Sequence, residues 1–254
     1  MRTVVVTGAS QGIGSVIATA FGSLGDTVVL TARNRGNLDQ VAAEVEGVGG
    51  RAIVAASDVT SWESMELLGA EVGRLGGADV VVANSGVGGP SGVLWELDPA
   101  EWDATFAVNV SGVFLTAKSL LPKMIERRSG SFIVIGSISG KRPLFGRTPY
   151  TSTKSALVGL VRTLALETGE HGVRVNLISP GFVEGPRLDW VIDAQAVARG
   201  VAPDVVENEF KAQSPMRRLT QPSDVADAAI YLASEQSSAL TGVDLNVNAG
   251  VVMY

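Results

Sequence analysis

The stretch that decides the fold is residues 3–14, TVVVTGASQGIG. A run of β-branched residues ends at a glycine-rich turn, and an apolar helical pattern begins directly after it. Gly8 allows the sharp turn, Gly12 lets the backbone approach a pyrophosphate, and Gly14 lets the helix pack close to the sheet. The N–H groups and the positive dipole end of that helix suit phosphates. A strand, a glycine turn and a helix in this order predict a dinucleotide-binding site.

Composition limits the classes of protein that this chain can belong to. It has 254 residues, of which 46% are hydrophobic and 18% charged, so a large core is available. The net charge of −6 argues against a nucleic-acid-binding protein. There is no cysteine, which excludes disulfides and thiolate chemistry. Because no signal segment and no apolar run of roughly 18 residues is visible, we expect a soluble, cytoplasmic protein without a membrane partner.

Strand-like and helix-like segments alternate along almost the whole chain. The sequence predicts strands near 3–7, 27–32, 51–56, 78–84, 131–136, 173–179 and 243–248. It predicts helices near 12–24, 36–48, 61–76, 99–127, 150–170 and 222–234, with Thr60 and Asp98 capping the third and fourth. Such alternation implies parallel strands joined by right-handed crossovers. We therefore predict an α/β Rossmann fold, a doubly wound seven-stranded parallel sheet with helices on both faces, in one domain over residues 1–254.

A second group of residues points to chemistry. Tyr150 and Lys154 are four positions apart, so they share one face of the predicted helix, and Ser137 ends the preceding strand. A phenol with its ordinary pKa of about 10 is a poor base at neutral pH. A neighbouring ammonium stabilises the phenolate and brings that pKa toward the working range. Asn109 stands in an otherwise apolar helical face, where its amide needs a partner.

Together with the Gly-x-x-x-Gly-x-Gly spacing of residues 8–14, these residues resemble the short-chain dehydrogenase/reductase family over nearly the whole chain. The resemblance implies hydride transfer between a nicotinamide cofactor and a ketone or secondary alcohol. It implies that Tyr150 is the general acid and base, that Lys154 lowers the pKa of the phenol and holds the nicotinamide ribose, and that Ser137 fixes the substrate oxygen. Asn109 would hold a water in the proton relay. The cofactor contacts that it implies are Gly8, Ser10, Gln11, Gly12, Ile13, Gly14, Arg33, Asn34, Asp58, Val59, Asn84, Ser85, Gly86, Tyr150, Lys154, Pro180, Gly181 and Val183.

The end of the second predicted strand bears on the choice of cofactor. An NAD site places an acid there for the ribose hydroxyls, whereas a nearby arginine accommodates a 2′-phosphate. Here Ala32 takes the expected place of the acid, and Arg33 follows at once. A guanidinium also suits a phosphate by bidentate pairing. The pattern predicts NADP.

The chain departs from the family pattern in two places. It has Ser85 within Ala-Asn-Ser-Gly where the family usually has Asn-Asn-Ala-Gly, and Gly185 where a threonine commonly reaches the cofactor. Residues 186–215 are the least regular segment, and the resemblance implies a loop that closes over the substrate. Trp190 in this segment, with Trp95 and Leu144 on facing loops, favours an apolar or cyclic carbonyl substrate. We expect no metal site, since the only histidine lies at a helix end.

Three functions remain open on the sequence. The first is an NADP-dependent carbonyl reductase or alcohol dehydrogenase for small molecules. The second is a 3-oxoacyl-[acyl-carrier-protein] reductase, whose acidic partner needs a basic patch to which Arg127 and Arg128 contribute. The third is a non-catalytic dinucleotide-binding sensor, against which the intact Ser, Tyr and Lys argue. The apolar C-terminus, residues 251–254, predicts a homo-oligomer, a tetramer or a dimer.

Overall fold

Seven parallel strands form the centre of the molecule, a computed structural model that describes residues 1–254 except for the side chains of Ala194 and Ala198. The strands are β1 Thr3–Thr7, β2 Thr27–Thr31, β3 Arg51–Val54, β4 Val80–Ala83, β5 Gly130–Ile135, β6 Val173–Pro180 and β7 Asp244–Val247. They lie in the order β3-β2-β1-β4-β5-β6-β7, and every neighbouring pair is parallel. The predicted seven-stranded doubly wound sheet is thus confirmed. Because the sheet is continuous, the chain forms one domain.

Nine α-helices are assigned in the part of the chain that the structure describes. They are α1 Gly12–Gly22, α2 Arg35–Gly47, α3 Trp62–Arg74, α4 Pro99–Phe106, α5 Gly112–Arg127, α6 Thr148–Gly169, α7 Pro186–Arg199, α8 Pro203–Ala212 and α9 Pro222–Leu232. A π-helical turn, Ala107–Ser111, joins α4 to α5. Asp98 caps α4 as predicted, accepting from the N–H of Ala100 at 2.9 Å. The predicted cap at Thr60 is wrong by one residue, because Ser61 caps α3 and accepts from the N–H of Ser64.

Both faces of the sheet are covered. Val4 and Val6 of β1 belong to the core beneath α1, α2 and α9, whereas Val5 belongs to the core beneath α3, α5 and α6. All three side chains are fully buried. Side chains of a strand alternate between faces, so a strand buried on both sides is a continuous apolar run. This burial explains why residues 4–6 are all valine, as expected for a strand inside the sheet with neighbours on both sides.

The segment 186–215 differs from our expectation. Instead of an irregular loop it contains α7 and α8, each with a proline in its first turn, where the missing N–H costs nothing. Leu188, Ile192 and Ala196 recur at helical spacing on α7 and pack with Val206 of α8 in a small core of their own. The segment is therefore a helical pair that packs as a unit.

One helical segment meets the length and composition criteria for a membrane span. Among the described residues it is Pro99–Arg127, with a mean hydropathy of 1.3 over an 18-residue window, so the expectation that no apolar run reaches this length was wrong. Val113, Ala117 and Leu120 of this segment lie in the core on the sheet. Packing against the sheet accounts for its apolar character.

Candidate active site

The carboxyl ends of the strands form the candidate site. The order in which strands are added reverses between β1 and β4. From β1 the chain adds β2 and β3 on one side, and from β4 it adds β5, β6 and β7 on the other side. Such a switch point leaves a crevice in which open α/β sheets bind ligands. The glycine turn follows β1, Asn84 follows β4, and Ser137 follows β5. The topology thus brings the predicted residues to one edge of the sheet.

The glycine turn has the shape that a pyrophosphate requires. Gly8 has φ of +66° and Gly12 has φ of +59°, a region that L side chains rarely adopt. A Cβ at Gly14 would lie 2.3 Å from the carbonyl oxygen of Gly8, so only glycine lets α1 approach this closely. Gln11 precedes α1 without capping it through its side chain, and the space above Gly12 is open. The first N–H groups of α1 are therefore available to an anion.

The side chain of Asn84 stabilises the glycine turn by hydrogen bonds. Its amide nitrogen donates to the carbonyl oxygens of Thr7 and Gly8, at 3.0 and 3.1 Å. The buried hydroxyl of Thr7 in turn accepts from the N–H groups of Asn84 and Ser85, at 3.0 and 3.1 Å. The side chain of Asn84 thus holds the glycine turn in place. The sequence analysis missed Thr7, whose polar side chain inside a buried strand was the available signal.

The residues beyond β2 and β3 lie at the outer end of the crevice. Arg33 is exposed, and Asn34 caps α2 by accepting from the N–H of Asn37. A hydrogen bond from the N–H of Thr60 holds the pKa of Asp58 below its ordinary value, and the positive charge of Arg33 acts in the same direction. Val59 is buried in the core, so its side chain is not available to a ligand. The arrangement leaves Arg33 exposed at this end, with a second exposed arginine, Arg35, at the start of α2.

Residues 181–185, which follow β6, lie at the same edge of the sheet as the site. Gly181 donates to the carbonyl oxygen of Val247 at 3.0 Å, and Val183 pairs with Thr220 in an isolated parallel bridge. The bridge hydrogen bonds are made by Phe182 and Glu184, at 2.9 Å each. The N–H and C=O of Val183 itself make no hydrogen bond within the described residues, so they can serve a carboxamide. Gly185, with φ of +137°, adopts a conformation that would strain the threonine commonly found there.

Tyr150, Lys154 and Ser137 meet at the inner end of the crevice. Tyr150 lies in the first turn of α6, and the Lys154 ammonium lies 5.7 Å from the centre of its ring. The ammonium is buried and donates to the carbonyl oxygen of Ile135 at 2.8 Å, which fixes it beneath the phenol. Ser137 is extended at the end of β5, and its hydroxyl accepts from the N–H of Ser139 at 3.1 Å.

Electrostatics favours the phenolate form of Tyr150. Burial alone would raise the pKa of the phenol. The positive charges of Lys154 and Arg187, a hydrogen bond from Ser137 and the charge of Arg147 outweigh burial and hold that pKa below its ordinary value. Burial also lowers the pKa of the Lys154 ammonium, although the nearby phenol opposes that shift. A phenol with a depressed pKa can take up and release a proton nearer neutral pH.

Asn109 is fully buried in the π-helical turn. Its oxygen accepts from the N–H of Val87 at 2.8 Å, and its nitrogen donates to the carbonyl oxygen of Val87 at 3.0 Å. The same nitrogen donates to the Thr153 hydroxyl at 3.1 Å. The amide therefore ties the loop after β4 to α6 beside Lys154. Both N–H groups of this side chain are used in these contacts, so a relay water would have to bind elsewhere on Asn109. Thr153 was not identified from the sequence.

The apolar residues predicted to contact substrate are open to solvent. Trp95 is 83% exposed and Trp190 is 69% exposed, while Leu144 is half-buried. Neither tryptophan stacks on another aromatic ring in the described part of the chain. Two arginines that the sequence analysis did not single out, Arg147 and Arg187, lie against the Tyr150 ring instead. No group of three acidic or histidine side chains that could hold a metal ion is found among the described residues.

A backbone cradle for a pyrophosphate beside the half-buried Tyr150 and the buried Lys154 is the arrangement expected of an oxidoreductase that uses a nicotinamide dinucleotide. A family model described as enoyl-(acyl carrier protein) reductase matches residues 8–252. The chain is 34% identical over 250 residues to 2,3-dihydro-2,3-dihydroxybenzoate dehydrogenase of Bacillus subtilis strain 168, with 98% of this chain and 95% of that protein covered. The protein belongs to the short-chain dehydrogenase/reductase family, as its motifs predicted.

Solved structures agree in fold. A variant of actinorhodin polyketide ketoreductase with NADPH is 33% identical, with a TM-score of 0.94 over 100% of this chain and 98% of that one. Xylitol dehydrogenase with bound NAD⁺ is 27% identical, with a TM-score of 0.92 over 98% of each chain. Members of this fold thus occur with either cofactor.

Proposed function

We propose that the protein is an NADP-dependent oxidoreductase that interconverts a ketone and a secondary alcohol on a small, mostly apolar or cyclic substrate. The observation that carries the proposal is the placement of the half-buried Tyr150 phenol next to the Lys154 ammonium, which a hydrogen bond to Ile135 holds in place. The pKa of this phenol lies below its ordinary value. The nicotinamide supplies or accepts the hydride. Tyr150 gives its proton to the carbonyl oxygen in reduction and takes it back in oxidation.

The other residues of the site position these groups. Ser137 would hold the substrate oxygen beside Tyr150, since its hydroxyl lies close enough to the phenol to help lower the pKa of Tyr150. Lys154 stabilises the phenolate and would also bind the nicotinamide ribose. Asn109 keeps the loop after β4 against α6, and we retain it as the proposed holder of the relay water, through its backbone. Val183 would offer its backbone to the carboxamide.

NADP is favoured by the surroundings of Arg33. Arg33 is exposed at the end of β2, no carboxylate lies within 4.0 Å of it in the described structure, and Ala32 places no acid at the end of that strand. We expect NADPH to have the lower KM. Arg33→Ala should narrow the difference between the cofactors by about 1.5–3 kcal/mol, the contribution of a charged hydrogen bond. The measurement is NADPH and NADH oxidation across a panel of ketones, diketones and acyl thioesters. An equal use of both cofactors by the wild type would contradict the NADP assignment.

The basic patch that the acyl-carrier-protein alternative needs is already engaged in contacts within this chain. Arg127 pairs with Asp79 and donates to the carbonyl oxygen of Gly76, while Arg128 donates to the carbonyl oxygen of Glu170. Arg127 is the last residue of α5 and Arg128 directly follows it, before β5, so both lie at the amino-terminal edge of the sheet. Ser137 and Tyr150 belong to the opposite edge. A carrier docked on Arg127 and Arg128 would be far from the catalytic residues of the same chain.

Several large apolar side chains are exposed at the C-terminus and on α5 and α6. Met253 and Tyr254 are largely exposed, whereas Val252 is buried. Phe114 of α5 and Leu166 of α6 are exposed as well. We propose a homo-oligomer, a tetramer or a dimer, that covers such apolar side chains, and a cytoplasmic location. Sedimentation of the purified protein tests the assembly, since a monomer at micromolar concentration would contradict it.

A further inference from the structure

Two arginines from distant parts of the chain lie against the catalytic phenol. The guanidinium carbon of Arg147, which directly precedes α6, is 5.4 Å from the centre of the Tyr150 ring. That of Arg187, in the first turn of α7, is 5.1 Å from the same point. Lys154 lies on the same ring at 5.7 Å. Three cations therefore surround Tyr150.

The two guanidinium groups converge on one small space. A Cβ built on Gly88 would lie 2.9 Å from an Nη2 of Arg187 and 3.1 Å from an Nη2 of Arg147. Any side chain at position 88 would displace one of them. Arg147 is fixed, since it donates to the carbonyl oxygen of Gly88 at 2.7 Å and to the Ser91 hydroxyl. The loop that carries Gly88 is tied down in turn by Gly92, which donates to the carbonyl oxygen of Gly146 at 2.9 Å.

No acid balances these charges. Within the described residues, neither Arg147 nor Arg187 lies within 4.0 Å of a carboxylate, and Arg187 donates no hydrogen bond. Glu184, the nearest acid along the chain before Arg187, accepts from the Gln221 amide instead. Burial lowers the pKa of Arg147, and the like charge of Arg187 lowers it further. Arg147 is half-buried and Arg187 is exposed, and like charges held this close destabilise each other unless an anion lies between them.

We propose that Arg147 and Arg187 recognise a carboxylate or an equivalent oxyanion on the substrate, so that the enzyme acts on an anionic ketone or secondary alcohol. A guanidinium presents a planar fork of donors that matches the two oxygens of a carboxylate. The pair lies beside Tyr150, where the carbonyl reacts, and not at the glycine turn, where the pyrophosphate is expected. The inference rests on the proposed function and refines its substrate to an apolar or cyclic body with one anionic group.

A binding measurement tests the anion site without turnover. Benzoate and benzamide have the same ring and nearly the same size, and they differ in charge. We expect benzoate to bind the wild type, with and without NADP⁺, at least about tenfold more tightly than benzamide. Arg187→Met should weaken benzoate binding about 10- to 100-fold, the usual loss for a charged hydrogen bond, and leave benzamide unchanged. Arg187→Lys should keep only part of the wild-type affinity for benzoate, because an ammonium lacks the planar pair of donors that a guanidinium presents to a carboxylate.

A control arginine separates recognition from net charge. Arg162 is exposed on α6 and makes no ion pair in the described structure, so Arg162→Met removes one charge far from the loop at Gly88. Benzoate binding should not change in this variant. Arg147→Met also removes contacts to the loop, and for that reason Arg187→Met is the deciding variant. Equal binding of benzoate and benzamide to the wild type would overturn the proposal.

Kinetics distinguishes a substrate anion from a cofactor phosphate. With NADPH saturating, 3-oxocyclohexanecarboxylate should have a KM at least about tenfold below that of its methyl ester, and Arg187→Met should remove the difference. A higher KM for NADPH in Arg187→Met, with benzoate binding unchanged, would assign the arginine to the cofactor and contradict the proposal. Benzoate binding that depends on Arg187, in a protein that reduces no ketone of the panel, would sustain the anion site and refute the proposed function alone.

Discussion

At the end of the crevice near β1, backbone atoms form the binding surface, whereas at the end near Tyr150 charged side chains form it. The glycine turn leads into the uncapped first turn of α1, whose N–H groups lack helical partners, and the Asn84 side chain only supports the turn. The other end assembles Tyr150, Arg147 and Arg187 from two helix starts and the preceding loop. A backbone surface suits a phosphate that is the same in every member of the family. A side-chain surface can change with the substrate, because each contact depends on a single residue.

The largest expected effect is that of replacing Lys154, for which we propose a role both in the chemistry and in cofactor binding. Lys154→Ala should lower kcat by on the order of 10²–10⁴, since the phenol loses its closest cation and becomes a weaker acid and base. NADPH binding should weaken as well, because the same ammonium would hold the nicotinamide ribose. Stopped-flow turnover and NADPH fluorescence titration measure the two effects. Unchanged NADPH binding would confine Lys154 to the chemistry and remove its proposed second role.

A smaller effect is expected at the backbone end. Gly14→Ala places a Cβ 2.3 Å from the carbonyl oxygen of Gly8, and a backbone atom cannot easily move away. We expect a loss of about 1–3 kcal/mol in the free energy of unfolding and weaker NADPH binding. Gly159→Ala is the matched control, because Gly159 is an exposed position of α6 and nothing lies near its added Cβ. Its free energy of unfolding should rise by up to about 1 kcal/mol. Urea unfolding measures both. Equal stability of the two variants would show that the close approach of α1 is not required.

The smallest expected effect is a shift in pH dependence. Alcohol oxidation needs the phenolate, so kcat/KM for an uncharged alcohol should rise as pH increases through the pKa of Tyr150. Arg187 helps to hold that pKa below its ordinary value. Removing this positive charge disfavours the phenolate, and Arg187→Met should therefore move the acidic limb of the profile to higher pH. The Arg162→Met profile should overlay the wild type. A limb that stays in place in Arg187→Met would mean that its charge does not reach the phenol.

The two ends also differ in how far the sequence predicted them. Short-range patterns predicted the fold and the glycine turn, because Gly8, Gly12 and Gly14 act through local backbone geometry and close packing. Tyr150 and Lys154 were found for the same reason, since they are one helical turn apart. The helices α7 and α8 were missed because each buries few residues, Leu188, Ile192 and Ala196 on α7 and Val206 on α8, and their small core forms only when the two helices pack together.

The arginine pair could not be predicted from spacing. Arg147 and Arg187 are brought together only by the turn into α6 and the start of α7, and Gly88, which leaves them room, follows a third strand. Nothing in the local sequence of any one of these residues indicates the other two. In the same way, Arg127 and Arg128 suggested a basic patch, and the fold directs both toward partners within the chain.

The central claim is that Tyr150 transfers the proton, while most of the affinity for the cofactor comes from other residues. The most direct measurement is the turnover of Tyr150→Phe together with its NADPH affinity by fluorescence. We predict a rate lower by on the order of 10²–10⁴, because the variant has no phenol proton to give. We predict a nearly unchanged NADPH affinity, because the ring touches no pyrophosphate contact. If the variant kept more than about a tenth of the wild-type turnover, another acid would exist and the claim would fail.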